Sequence, residues 1–144
     1  MDQAEIGRLE NYLRKLLGAP GLSVRAQGRE EAEMLVSGQK VADISKDEDE
    51  GELSYFVNMG VERPAGAAKD APIDAPERAR LEGVLKKKLG SGGLSVRARP
   101  RKTDSAEVYV GEEFIGTLSR DEDSREYGHF LTMSILDIDL EDDA

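Results

Sequence analysis

The chain has 144 residues, 35% of them charged and 38% hydrophobic, with thirty acids against twenty bases and a net charge of −10. That length holds one ordinary domain or two very small ones, and the hydrophobic fraction, though low, is enough for a folded chain. With no cysteine, no tryptophan and one histidine, the composition excludes a disulfide scaffold, a thiolate zinc site and a cysteine-nucleophile enzyme, and removes most of the usual proton carriers near neutral pH.

The N-terminus, Met1-Asp2-Gln3-Ala4-Glu5-Ile6, lacks the basic start and apolar run of a secretory signal. No stretch approaches the roughly 18–20 apolar residues that cross a bilayer, so the expectation is a soluble cytoplasmic protein with no membrane contact. Ile6, Leu9, Leu13, Leu16 and Leu17 recur at helical spacing, and Gly18 supplies the stop signal. Strands follow to about residue 61, where Gly60 and Pro64 predict an early end to the last of them. Residues 62–76 hold three prolines and five alanines and read as a linker with little that packs.

Residues 77–140 repeat the plan. Leu81, Val84, Leu85 and Leu89 define a second helix closed by Gly90. Leu94, Val96 and Ala98 then alternate with Ser95, Arg97 and Arg99, as a strand requires. Residues 106–110 and 114–118 flank Gly111-Glu112-Glu113, a predicted hairpin. With a two-residue turn, strict alternation puts Val108, Val110 and Ile115 on one face and Tyr109, Phe114 and Leu118 on the other. A last strand spans about 129–136 and runs on toward Ile138. Residues 141–144 form an acidic tail.

The repetition is explicit. Residues 8–26 align with 80–98 at an offset of 72, identical at thirteen of nineteen positions. Two extra residues in the second copy, near 99–105, move the offset to 74, after which Val36 meets Val110, Ser45 meets Ser119 and Tyr55-Phe56 meets His129-Phe130. This is a tandem duplication. The expected fold is α+β: two repeats (1–61 and 77–140), each one helix and an antiparallel meander of about four strands, packed as a pseudo-dimer. A unit near 60 residues is marginal alone. One helix covers one sheet face, so the other copy is the candidate to cover the second. The copies differ where Lys40, Asp43 and Leu35 stand against Phe114, Thr117 and Tyr109.

The stretch from Ser95-Val96-Arg97 through Gly116-Thr117-Leu118, followed by the acidic turn and Met133-Ser134-Ile135-Leu136-Asp137, resembles a small single-unit bacterial family of unknown function. The resemblance covers about 78–140 well and 8–59 weakly. It implies the repeated unit and carries no activity, ligand or catalytic residue. Family members are typically one repeat long, so the duplication is a departure that fits a pseudo-dimer.

Little in the chain offers chemistry. His129 sits at the position of Tyr55, where an aromatic-sized strand residue suffices, and no oriented partner is evident. Asp47-Glu48-Asp49 and Asp121-Glu122-Asp123 open like calcium loops, but the sixth and twelfth positions are Glu52 and Asn58 in one copy and Glu126 and Thr132 in the other. They read as solvated hairpin tips; no metal, cofactor or catalytic residue is expected. Residues 77–119 carry nine bases against six acids, unlike the acidic flanks. Arg97, Arg99, Arg101 and Lys102 form the candidate interaction row. The function expected is a non-enzymatic interaction module that binds another protein and is itself a monomer. The alternative is a nucleic-acid binder using the basic strand and the Lys86-Lys87-Lys88 helix end, for which aromatic stacking partners are scarce.

Overall fold

A computed structural model of the chain describes residues 1–140; the acidic tail at 141–144 lies outside the described residues. Helix α1 spans Gln3–Leu17 and α2 spans Ala75–Leu89. Both begin on an aspartate whose side chain accepts from a backbone N–H in the first turn: Asp2 from Glu5, Asp74 from Glu77. At α1 the Glu5 side chain returns the bond to the Asp2 amide, completing a capping box. Both helices end on a left-handed glycine, Gly18 at φ 62° and Gly90 at φ 66°, a conformation in which any Cβ would cost energy.

Each helix is followed by four strands: β1 Leu22–Ala26, β2 Glu31–Val36, β3 Gln39–Asp49 and β4 Glu52–Glu62, then β5 Leu94–Ala98, β6 Ser105–Val110, β7 Glu113–Arg120 and β8 Tyr127–Leu136. A short 3₁₀ turn, Asp137–Asp139, follows β8. All neighbours are antiparallel in one eight-stranded sheet of order β1-β2-β3-β4-β8-β7-β6-β5. The copies therefore join edge to edge through β4 and β8. Asn58 pairs directly with its own equivalent, Thr132, so a pseudo-twofold axis runs through that pair. Val57 opposite Met133 and Met59 opposite Leu131 are the same contact seen from its two sides.

This joining corrects the expectation that one copy would cover the other's second face. Both helices lie on one side of the sheet, where Leu9, Leu13, Leu81 and Leu85 meet Val57, Met59, Leu131 and Met133 in one continuous core. The opposite face is open, and Asn58, Thr132 and Ser134 stand exposed along its middle. Those polar side chains let that face meet water, so no covering layer is required. Leu118 is a second correction. The pairing shifts between Val108 and Tyr109 because Ile115 is an extra residue, which turns Leu118 into the core with no exposed surface and leaves Phe114 outside. The first copy has the same bulge at Val41, between the pairs Met34–Ala42 and Leu35–Lys40. Nor does β4 end early: it reaches Glu62, the equivalent of the last residue of β8.

The connector between β4 and α2 is poor in apolar residues but is tied down. Ile73 is buried at 3% exposure and its amide bonds to Thr103, while Arg120 donates to the carbonyls of Asp70 and Ala71. The outer edges of the sheet are also occupied. Glu10 accepts from the Val24 amide at 3.0 Å and Arg14 donates to the Leu22 carbonyl, both on β1. On β5, Glu82 accepts from the Val96 amide at 2.9 Å. These are backbone groups that an edge strand would otherwise offer to another chain.

One polar cluster is buried in the first copy. Tyr55, fully buried, donates to Glu5 at 2.8 Å, and Lys46 pairs with the same carboxylate at 2.7 Å. Burial alone would raise the Glu5 pKa; the bonds from Lys46, Tyr55 and the Asp2 amide overcome it and hold the carboxyl at about 2. A depressed carboxyl pKa contributes stability that is complete above the unfolded-state value and is lost as pH falls through the folded-state value. Chemical denaturation of the native chain should therefore show a loss between about pH 4.5 and about 2 that is smaller in Glu5→Gln, with Glu5→Gln costing about 1–3 kcal/mol at neutral pH. Leu85→Ala, which empties a fully buried site under the sheet, should cost about 2–5 kcal/mol in the same assay.

Candidate interaction surface

The open face is one row of side chains across eight strands, read through the pairing as Arg25, Glu33, Asp43, Asn58, Thr132, Thr117, Glu107 and Arg97. Its ends are equivalent in the two copies; the surroundings are not. In the first copy Arg25 meets Glu33 at 2.8 Å, and Lys40 bridges Glu33 at 3.2 Å and Asp43 at 2.8 Å. Hydrogen bonds from Arg25 and Lys40 lower the Glu33 pKa, and bonds to Asp43 and Glu33 raise that of Lys40. That half of the face is neutralised within itself.

In the second copy Phe114 and Thr117 replace Lys40 and Asp43. The Arg97 guanidinium lies 4.1 Å above the centre of the Tyr109 ring, a cation–π arrangement. Its Nη2 donates to the Gly111 carbonyl at 2.9 Å and lies 3.5 Å from Glu112. Tyr109 in turn meets Phe114 edge to face, with centroids 5.7 Å apart. Phe114 keeps 50% of its surface exposed. Beside it a groove of about 270 Å³ opens between β7 and β8, floored by Gly116, Thr117, Thr132 and Ser134. Gly116 is what brings the strands so close: a Cβ there would sit 2.6 Å from the Thr132 carbonyl oxygen.

The four residues of the basic row are not equivalent. Arg97 stands on the open face, and Arg99, just beyond β5, reaches across to the Ser105 hydroxyl at 3.0 Å. Arg101 and Lys102 are exposed in the following loop, Arg101 at φ 63°. Lys86, Lys87 and Lys88 belong to α2, on the opposite side of the sheet, so the basic strand and the basic helix end do not form one surface.

His129 faces the core at 7% exposure, and burial lowers its pKa, which favours the neutral ring. It borders a cavity of about 20 Å³ with Glu77 and Arg120, room for about one water. These three replace Tyr55, Glu5 and Lys46 of the first copy, but Glu77 is taken up by Arg80 and no described side chain bonds His129 Nδ1. The Asp121 tip closes on itself: its carboxylate accepts from the Asp123 and Ser124 amides, which lower its pKa.

Sequence reading missed Tyr127. Its ring lies over Gly60, where a Cβ would approach within 2.6 Å, and meets Phe130 edge to face at 5.4 Å. The shift in pairing between Val61 and Glu62 places it there; the only signal was Gly128 next to a glycine-bearing partner strand.

No helix among the described residues is long and apolar enough to cross a membrane. No curated protein and no solved structure matches the chain. The family described as "Protein of unknown function (DUF3126)" matches it twice, over residues 5–63 and 77–139, the two units that the sheet joins. The chain thus belongs to the DUF3126 family and carries that family's unit in tandem.

Proposed function

We propose that this protein is a non-enzymatic interaction module, a cytoplasmic monomer that binds another protein through the second-copy half of its open sheet face. The observation that carries this reading is the exchange of the Lys40–Asp43 ion pair for Phe114 and Thr117 at equivalent positions. It leaves a half-exposed aromatic ring beside a groove, with Arg97 and Arg99 on the same side. Rigid aromatic and arginine side chains in such a setting are the usual anchors of protein interfaces. The complementary partner surface is acidic around one apolar side chain. The separation of Arg97 from the α2 lysines favours this reading over nucleic acid, which needs a continuous basic track.

A photo-crosslinking residue placed at Thr117 would identify the partner in native lysate, and association would then be measured with purified components. Arg97→Glu with Arg99→Glu should slow association about tenfold or more at low salt while leaving dissociation and the folded spectrum unchanged. Phe114→Ala should act instead on dissociation, at about 1–3 kcal/mol. Binding to RNA with a steep salt slope, or turnover of a small molecule, would exclude this assignment.

A further inference from the structure

The two ends of the seam are built on equivalent residues and finished differently. After β8 the chain turns back over α1. Asp137 comes within 3.7 Å of Arg8, and Leu140 is buried at 9% exposure within the core. Asp139 lies close enough to Tyr12 that its charge, after burial, raises the phenol pKa. After β4 the equivalent of Asp137 is Arg63, the equivalent of Arg8 is Arg80, and Gly66 stands where the other end has Leu140. There the chain continues through exposed Pro64 and Gly66. Between it and α2 lies a groove of about 370 Å³.

The groove has the lining that an acidic segment needs. Val84, Pro64 and Ala65 provide apolar walls, and Arg63, Arg80 and Lys88 stand against Glu62 in the lining, with Glu77 already paired to Arg80. Arg63 is bonded to the carbonyls of Asp121, Ser124 and Tyr127, and neither it nor Lys88 makes an ion pair with a described residue. Arg80 gives its Nε to Glu77, and a third of its side chain stays exposed. At the other end of the seam, Asp137 lies 3.7 Å from the equivalent arginine, a charge contact longer than a hydrogen bond.

We propose that this groove docks a short acidic segment of a partner protein, with a carboxylate directed to Arg80 and Lys88 and an aliphatic side chain laid against Val84 and Ala65. The segment takes the part that Asp137-Ile138-Asp139-Leu140 plays at the opposite end of the seam. The site lies on the helix side of the sheet and is independent of the open face.

The probe is the acetylated and amidated tetrapeptide Asp-Ile-Asp-Leu, titrated into the full ¹⁵N-labelled chain. The expected result is fast-exchange shifts at Val61, Arg80, Val84 and Lys88, with a Kd on the order of 0.1–1 mM, as suits so small a contact. Lys88→Glu, a surface change that leaves the fold in place, should weaken binding about fivefold or more, and the Asn-Ile-Asn-Leu analogue should bind about tenfold more weakly. The proposal fails if about 5 mM peptide moves none of these resonances, or if the Asn analogue binds equally well. It also fails if inorganic phosphate alone gives the same shifts, or if the shifts map to Phe114 and the open face.

Discussion

The pairing of β4 with β8 is the constraint on which the rest of the molecule depends. Each unit alone supplies one helix and four strands, a size at which burial barely offsets conformational entropy. Joined along β4 and β8, the two cores merge: Tyr55, Val57, Met59 and Val61 continue into Leu131, Met133 and Ile135, all at 2% exposure or less. Because Asn58 faces Thr132 across the axis, the junction is self-complementary in the way of a twofold interface. The backbone hydrogen bonds of two strand edges are satisfied at the same time.

Self-complementarity also frees the two halves to differ. Residues on the axis must suit their own equivalents, as Asn58 and Thr132 do. Residues away from it answer only to their local neighbours. The first copy has used that freedom for closure, in the Lys40 ion pairs and the Glu5–Tyr55–Lys46 cluster. The second has kept exposed surface, at Phe114 and at the groove beside Arg80. The contrast is local: Lys40 and Asp43 pair with each other where the second copy has Phe114 and Thr117.

Much of this was legible in the residues, and the boundary of legibility has a physical reason. Helix stripes and glycine stops are local patterns, so α1 and α2 could be read directly, as could the turn at Gly111-Glu112. The face carrying Arg97 could be read because β5 has no bulge. Leu118 could not, because alternation assumes an unbroken pleat and nothing in Phe114-Ile115-Gly116 marks Ile115 as the extra residue. Edge-to-edge joining was hidden for a related reason: apolar residues on both sides of a hairpin suggest two buried faces, whereas here Tyr109 and Phe114 cover part of the open face themselves. The groove at Arg80 was detectable only as a charge inversion between equivalents, Asp137 against Arg63, and its meaning depends on knowing that the two lie at opposite ends of one seam.

A sheet that grows by adding strands at an edge faces the hazard of not stopping. Pairing through β4 and β8 uses one edge of each unit and leaves β1 and β5 facing outward, where a further unit could attach and another after it, as in a fibre. Glu10, Arg14 and Glu82 lean from the helices onto those two strands and occupy backbone groups that an incoming strand would need. Each helix thereby guards an edge strand as well as covering the sheet. In the pattern Arg-Leu-Glu that opens both repeats, at Arg8-Leu9-Glu10 and Arg80-Leu81-Glu82, the glutamate takes up an outward amide of the edge strand, at Val24 and at Val96, so the residue that helps build each unit also blunts its far side.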